Sequence, residues 1–169
     1  MTGGLGSYMN QKEAAFYRGV LEGSVVFKGL QATVVEQILR QGLILEAKKG
    51  DLVSFENMPG GIGLYVVLEG KVEVFRAKPP DGVIPAHGQV HLNTLMPGHC
   101  FGEYSLLDGK ATSASAMTLE SSRLFFLPRG EFLKLSDSNH EAGKIIYRNL
   151  LLFLILRLRQ KDEELNARR

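Results

Sequence analysis

The sequence predicts a mainly β domain, an antiparallel barrel or jelly roll, with two helices before it and one long helix after it. Three observations carry this. Helical hydrophobic spacing gives way at Leu43 to short β-prone segments. Gly and Pro turns punctuate those segments as far as Pro128. A helix with apolar residues on nearly every side then follows, from about His140 to Ala167.

Met1 to Asn10 is Gly-rich and polar and reads as a flexible leader without the pattern of a signal peptide. Gln11 to Leu21 reads as a helix, with Ala14, Ala15, Phe16 and Val20 on one side and Lys12, Glu13 and Arg18 exposed. A second helix spans about Gln31 to Gln41, with Val34, Val35, Ile38 and Leu39 on its apolar side, and Gly42 stops it. Candidate strands are Leu43–Ala47, Leu52–Phe55, Gly63–Leu68, Lys71–Arg76, Val90–Leu95, Ala111–Thr118 and Arg123–Pro128. Seven or eight short strands at this spacing suggest a barrel or jelly roll. Lys78 to Gly88, with three prolines and two glycines, reads as a long mobile hairpin loop. Arg129 to Leu135 reads as a short helix, and Ser138 or Asn139 can cap the long one. The domains are therefore a leader (1–10), a barrel with its N-terminal helices (11–135) and the terminal helix (136–169).

Ile145, Ile146, Tyr147, Leu150 to Leu156 and Leu158 cover most of the last helix's circumference. A helix apolar all round must be buried all round, and a domain of 169 residues covers only one side of it. Leu151, Leu154, Leu158 and Leu165 follow an a/d spacing interrupted by Lys161. The economical reading is parallel pairing into a homodimer. The alternative is packing against another domain. Beyond Arg157 the mixed charges read as the solvated end of the helix.

Composition narrows the function classes. Apolar residues are 44% and charged residues 22%, ordinary for a globular protein. The net charge of +2, from 20 basic and 18 acidic side chains, argues against a nucleic-acid surface. The single cysteine, Cys100, excludes an internal disulfide, suits a reducing, cytoplasmic compartment and reads as a small buried residue. The longest apolar run, Leu150 to Leu156, is too short to span a bilayer. His87, His91, His99 and His140 include no His-X-His pair, and His87 and His91 would lie about 13 Å apart if extended. No Ser-His-Asp pattern, phosphate-binding P-loop or CxxC pair is present, so the expectation is a non-enzyme without a metal.

The most informative stretch is Phe101-Gly102-Glu103-Tyr104-Ser105-Leu106-Leu107-Asp108-Gly109-Lys110-Ala111-Thr112-Ser113-Ala114. Gly102 permits close backbone approach to a ligand, and Tyr104 to Leu107 read as a helical turn whose N–H groups can face an anion. Glu103 is either a ligand acceptor or a structural carboxylate. With Lys49-Gly50-Asp51-Leu52-Val53, the hairpin Leu64-Tyr65-Val66-Val67-Leu68-Glu69-Gly70-Lys71-Val72-Glu73-Val74, Leu95-Met96-Pro97-Gly98 and Leu127-Pro128-Arg129-Gly130-Glu131-Phe132, this stretch resembles the cyclic-nucleotide-binding domain of the bacterial catabolite-activator and FNR-like regulators. The resemblance covers about residues 24 to 165.

It implies a double-stranded β-helix (jelly-roll) barrel with a dimerising C-terminal helix, working as a regulatory signal-transduction module. The implied ligand-binding residues are Phe101, Gly102, Glu103, Tyr104, Ser105, Lys110, Thr112 and Ser113. Glu103 would accept from a ribose hydroxyl, and Ser105, Thr112 and Ser113 would face the phosphate. The implied ligand is a cyclic nucleotide such as cAMP or cGMP, with no other cofactor. One position departs from the pattern. Nine residues after the glutamate the family places an arginine that pairs with the phosphate, and here that residue is Thr112. Lys110, two residues earlier on what reads as the same strand face, is the candidate replacement charge. The family's transcription regulators continue into a helix-turn-helix domain, whereas this sequence stops, so direct DNA binding by this chain is not expected. The reading is a sensor of a nucleotide-like molecule that relays binding through its last helix. The alternative is a degenerate dimeric scaffold or protein-interaction module that binds no nucleotide.

Overall fold

The computed structural model describes residues 6–57, 61–77 and 89–167. In chain order it contains β1 (Ser7–Tyr8), α1 (Gln11–Gly23), α2 (Ala32–Gln41), β2 (Leu43–Ala47), β3 (Leu52–Ser54), β4 (Gly63–Glu69) and β5 (Val72–Ala77). There follow β6 (Gln89–Leu95), β7 (Cys100–Phe101), α3 (Glu103–Asp108), β8 (Ser115–Thr118), β9 (Ser122–Pro128), α4 (Arg129–Ser138) and α5 (His140–Ala167). The loop expected at Lys78 to Gly88 lies outside the described residues.

Two antiparallel sheets, β1-β2-β9-β4-β7 and β3-β8-β5-β6, face each other. Alternation along the strands assigns every side chain to one of two cores. On β4, Tyr65 and Val67 point between the sheets with Val72, Val74, Leu95, Phe101, Ala116 and Leu124. Leu64, Val66 and Leu68 point the other way, into a core shared with α1, α2, α4 and α5. β9 divides likewise, with Leu124 inside the barrel and Phe125 and Leu127 under the helices. A strand buried on both faces reads as continuous apolar sequence, which is why Leu64 to Leu68 shows no alternation.

The helices follow from caps and faces. The Asn10 side chain accepts from the Lys12 and Glu13 amides, each at 3.0 Å, and the Glu13 carboxylate accepts from the Asn10 amide at 3.1 Å. This reciprocal box starts α1. Ser7–Tyr8 pairs with β2, and Met9 is buried, so the last third of the expected leader is ordered structure. The buried face of α1 is Ala14, Tyr17 and Leu21. Phe16, expected on that face, is 74% exposed, because Tyr17 supplies the buried ring and its hydroxyl donates to Glu69. Gly42 caps α2 where no side chain fits, since a Cβ there would lie 2.1 Å from the Phe125 ring.

α5 lies across the barrel's helical side. Ala142, Gly143, Ile146, Asn149 and Leu150 are its buried residues. The Asn149 amide donates to the Val26 and Lys28 carbonyls at 3.0 and 2.8 Å, which pins the helix to the turn after α1. On its outer side Tyr147, Leu151, Leu152, Ile155, Leu156, Leu158 and Leu165 are exposed. Among the described residues no helix is long and apolar enough to cross a membrane.

Candidate functional site

The site is built around α3. Phe101 ends β7, and Gly102 turns the chain with φ of 85°. A Cβ at Gly102 would stand 2.4 Å from the Gly63 carbonyl, so both the left-handed backbone and the close approach demand glycine. The turn delivers Glu103 inward, where it is 3% exposed.

A buried carboxylate needs a partner, and α5 supplies it. Arg157 Nη1 donates to Glu103 Oε1, and the same guanidinium lies 4.8 Å over the Phe153 ring. Burial pushes the Glu103 carboxyl above its ordinary value, while Arg157 pulls it down. This ion pair joins the cassette of the barrel to the terminal helix.

Around it opens a cavity of about 590 Å³, within the range of small-molecule sites. Its wall includes Phe101, Gly102, Glu103, Tyr104 and Ser105 from the cassette, and Thr112 and Ser113 beyond it. Arg76 on β5 and Leu154, Arg157 and Lys161 on α5 complete the enclosure. Tyr65 forms an aromatic floor, stacked on Phe101 at 4.7 Å between ring centres and tilted against Phe126 at 4.5 Å. Burial pushes the Tyr65 phenol up to about 12. The floor is therefore apolar and uncharged at neutral pH, suited to a flat ring.

Seven of the eight residues read from the sequence line this cavity, and Lys110 does not. The strand expected from Ala111 begins only at Ser115. Gly109 takes φ of 71°, the Asp108 carboxylate accepts from the Lys110 amide at 2.9 Å, and the Lys110 side chain is exposed. Lys110 and Thr112 therefore share no strand face. Thr112 is buried, and its hydroxyl donates to the Phe55 carbonyl at 2.6 Å, while its own carbonyl accepts from the Asn57 amide at 2.8 Å. These bonds tie the segment before β8 to the chain after β3.

Cys100 is buried, and its thiol is pushed up to about 12, chiefly by burial and then by Glu103. Among the described residues no three His, Cys, Asp or Glu side chains are grouped as a metal centre. His91 pairs with Glu73 at 2.9 Å, and His99 Nδ1 accepts from the Met96 amide at 3.2 Å. His87 lies outside the described residues.

Arg157, Lys161 and Arg76 escaped the sequence reading. Arg157 and Lys161 sit in the stretch that reads as a solvated helix end. The available signal was Glu103 itself, since an inward carboxylate requires a cation. Arg76 was legible only through alternation with Val72 and Val74 on one strand.

A two-sheet jelly roll with a glycine-turned cassette and a terminal helix walling its cavity defines a class of regulatory binding domains. The chain matches the cyclic nucleotide-binding domain over residues 44–139, and it belongs to that family. It is 34% identical over 154 residues to the cyclic AMP receptor protein of Thermus thermophilus, covering 86% of this chain and 62% of that one. The crystal structure of the Thermus thermophilus catabolite activator protein is similar, with a TM-score of 0.71 and 33% identity over 85% of this chain and 62% of that one. A cyclic nucleotide-binding domain from Methylobacillus flagellatus shares the fold at a TM-score of 0.75 and 22% identity, over 92% of this chain and 85% of that one. The chain thus spans less than two thirds of the length of the Thermus relative.

Proposed function

We propose that this chain is a cytoplasmic sensor in which a nucleotide-like small molecule binds between the cassette and α5. Binding alters the position of α5 and is relayed through it to a second copy of the chain. One observation carries the reading: a single cavity is walled by the cassette and by α5, and the Glu103–Arg157 pair links the two. A ligand that reaches Glu103 must contact or displace Arg157, so occupancy and helix position are coupled. The exposed apolar residues of α5 continue from the same helix and supply the homodimer surface. The ligand names of the relatives, cyclic AMP in the Thermus receptor, make cyclic mononucleotides the first candidates.

The test is thermal unfolding with millimolar cAMP, cGMP or cyclic dinucleotides, alongside a Thr112→Arg variant. A ligand at 100 times its Kd adds about 2.7 kcal/mol, which raises Tm by about 5–10 °C for a domain of this size. A shift in the wild type establishes the sensor. No shift with any probe refutes it for these ligands. A cAMP shift confined to Thr112→Arg would favour a second reading, a dimeric scaffold or protein-interaction module that has kept the cavity. The observation behind that reading is the Thr112 hydroxyl, committed to the Phe55 carbonyl where the family's arginine would stand.

A further inference from the structure

We infer that Arg76, on a different strand from the cassette, is the cation that holds the phosphate of a nucleoside phosphate in this cavity. The inference rests on the proposed reading of the cavity as the ligand site and names the group that recognises the ligand's charge.

The charged residues of the cavity wall are Arg76, Arg157, Lys161, Glu103 and Glu164. Arg157 is spent on Glu103. Arg76 stands two residues after Val74 on β5, so strand alternation sends both side chains to the cavity face, and both line it. Its Nε donates to the Ser113 carbonyl at 2.8 Å, which holds the guanidinium beside the segment that carries Thr112. Among the described residues, its Nη1 and Nη2 make no hydrogen bond or ion pair. A guanidinium held by one nitrogen presents its remaining N–H groups as a planar fork, the geometry that phosphate oxygens accept in pairs.

The position has a consequence for the ligand. Arg76 is exposed at the cavity rim. An anion there keeps part of its hydration, so a doubly charged phosphate monoester loses less than it would in an enclosed pocket. The cavity therefore takes nucleoside monophosphates as well as cyclic ones, with the ring on the Tyr65–Phe101 floor and the phosphate toward β5.

Isothermal titration of the full chain with cAMP, cGMP, 5′-AMP and uncharged adenosine tests this, in wild type, Arg76→Gln, Arg76→Lys and a distant charge control, Lys12→Gln. The expected result is tighter binding of at least one phosphorylated probe than of adenosine, weakening as salt is raised. Arg76→Gln should lose about 10- to 100-fold for that probe with adenosine binding unchanged. Arg76→Lys should restore part of the loss, and Lys12→Gln should match wild type. If Arg76→Gln binds the phosphorylated probe as wild type does, the assignment of Arg76 falls while the cavity remains a ligand site. If Arg76→Gln loses adenosine equally and its Tm drops, Arg76 only anchors Ser113, and the assignment also falls. Failure of every probe to bind wild type overturns both the assignment and the sensor reading.

Discussion

Replacing Arg157 with Met isolates the central electrostatic element of this molecule. Glu103 is 3% exposed, so it cannot recover water when its partner is removed. Breaking a buried pair from one side costs about 3–5 kcal/mol. The Arg157 side chain is 28% exposed, which softens the pair and brings the expected loss to about 2–4 kcal/mol. For a chain of this length that lowers Tm by about 4–15 °C at pH 7.5.

The pH dependence has a definite sign. Glu103 titrates in the folded protein above its ordinary value of 4.5, with burial as the main cause and Arg157 as the chief opposing one. A raised carboxyl contributes stability that is fully present below 4.5 and is lost as pH rises through the folded value. Removing Arg157 raises the folded value further, so the variant loses more on the way to neutral pH. The gap between wild type and Arg157→Met should be small near pH 4.5 and full at pH 7.5. Calorimetric or circular-dichroism melts across that range measure it. The double variant Glu103→Gln/Arg157→Met should regain most of the stability, giving a coupling of at least about 1 kcal/mol. A gap that is constant with pH, or a double variant no better than Arg157→Met, would refute the reasoning.

Glu at Leu151 and Leu158 places charge on the exposed apolar side of α5, and sedimentation equilibrium should then report a monomer where wild type reports a dimer. An identical mass for both proteins would remove the helix from the interface. Cys100, buried and pushed up to about 12, should react with a chromogenic disulfide reagent at pH 8 only after denaturant is added. Rapid reaction of the folded chain would show that α3 opens readily.

Much of the fold was legible because local chemistry and tertiary packing agree. The strand at Leu43–Ala47 and the helix at His140–Ala167 have the bounds read from the sequence. The segment before β8 did not, because Ala111 to Ala114 is β-prone in composition yet bonded to the chain after β3 instead of a neighbouring strand. The same cause misplaced Lys110, whose strand face does not exist. Ser7–Tyr8 and Cys100–Phe101 are two-residue strands, too short for any period to register.

The sequence by itself determined the architecture, through turn residues, the change of hydrophobic period and the ordered cassette motifs. It also determined that an unusually apolar terminal helix must be covered on two sides. Only the tertiary structure decided which charges meet. Glu103 and Arg157 are 54 residues apart in the chain, and Arg76 and Ser113 are 37 apart. Pairing over such separations depends on how the helix crosses the barrel and how the strands align. Local propensity carries no record of either, because both are set by the packing of the two cores.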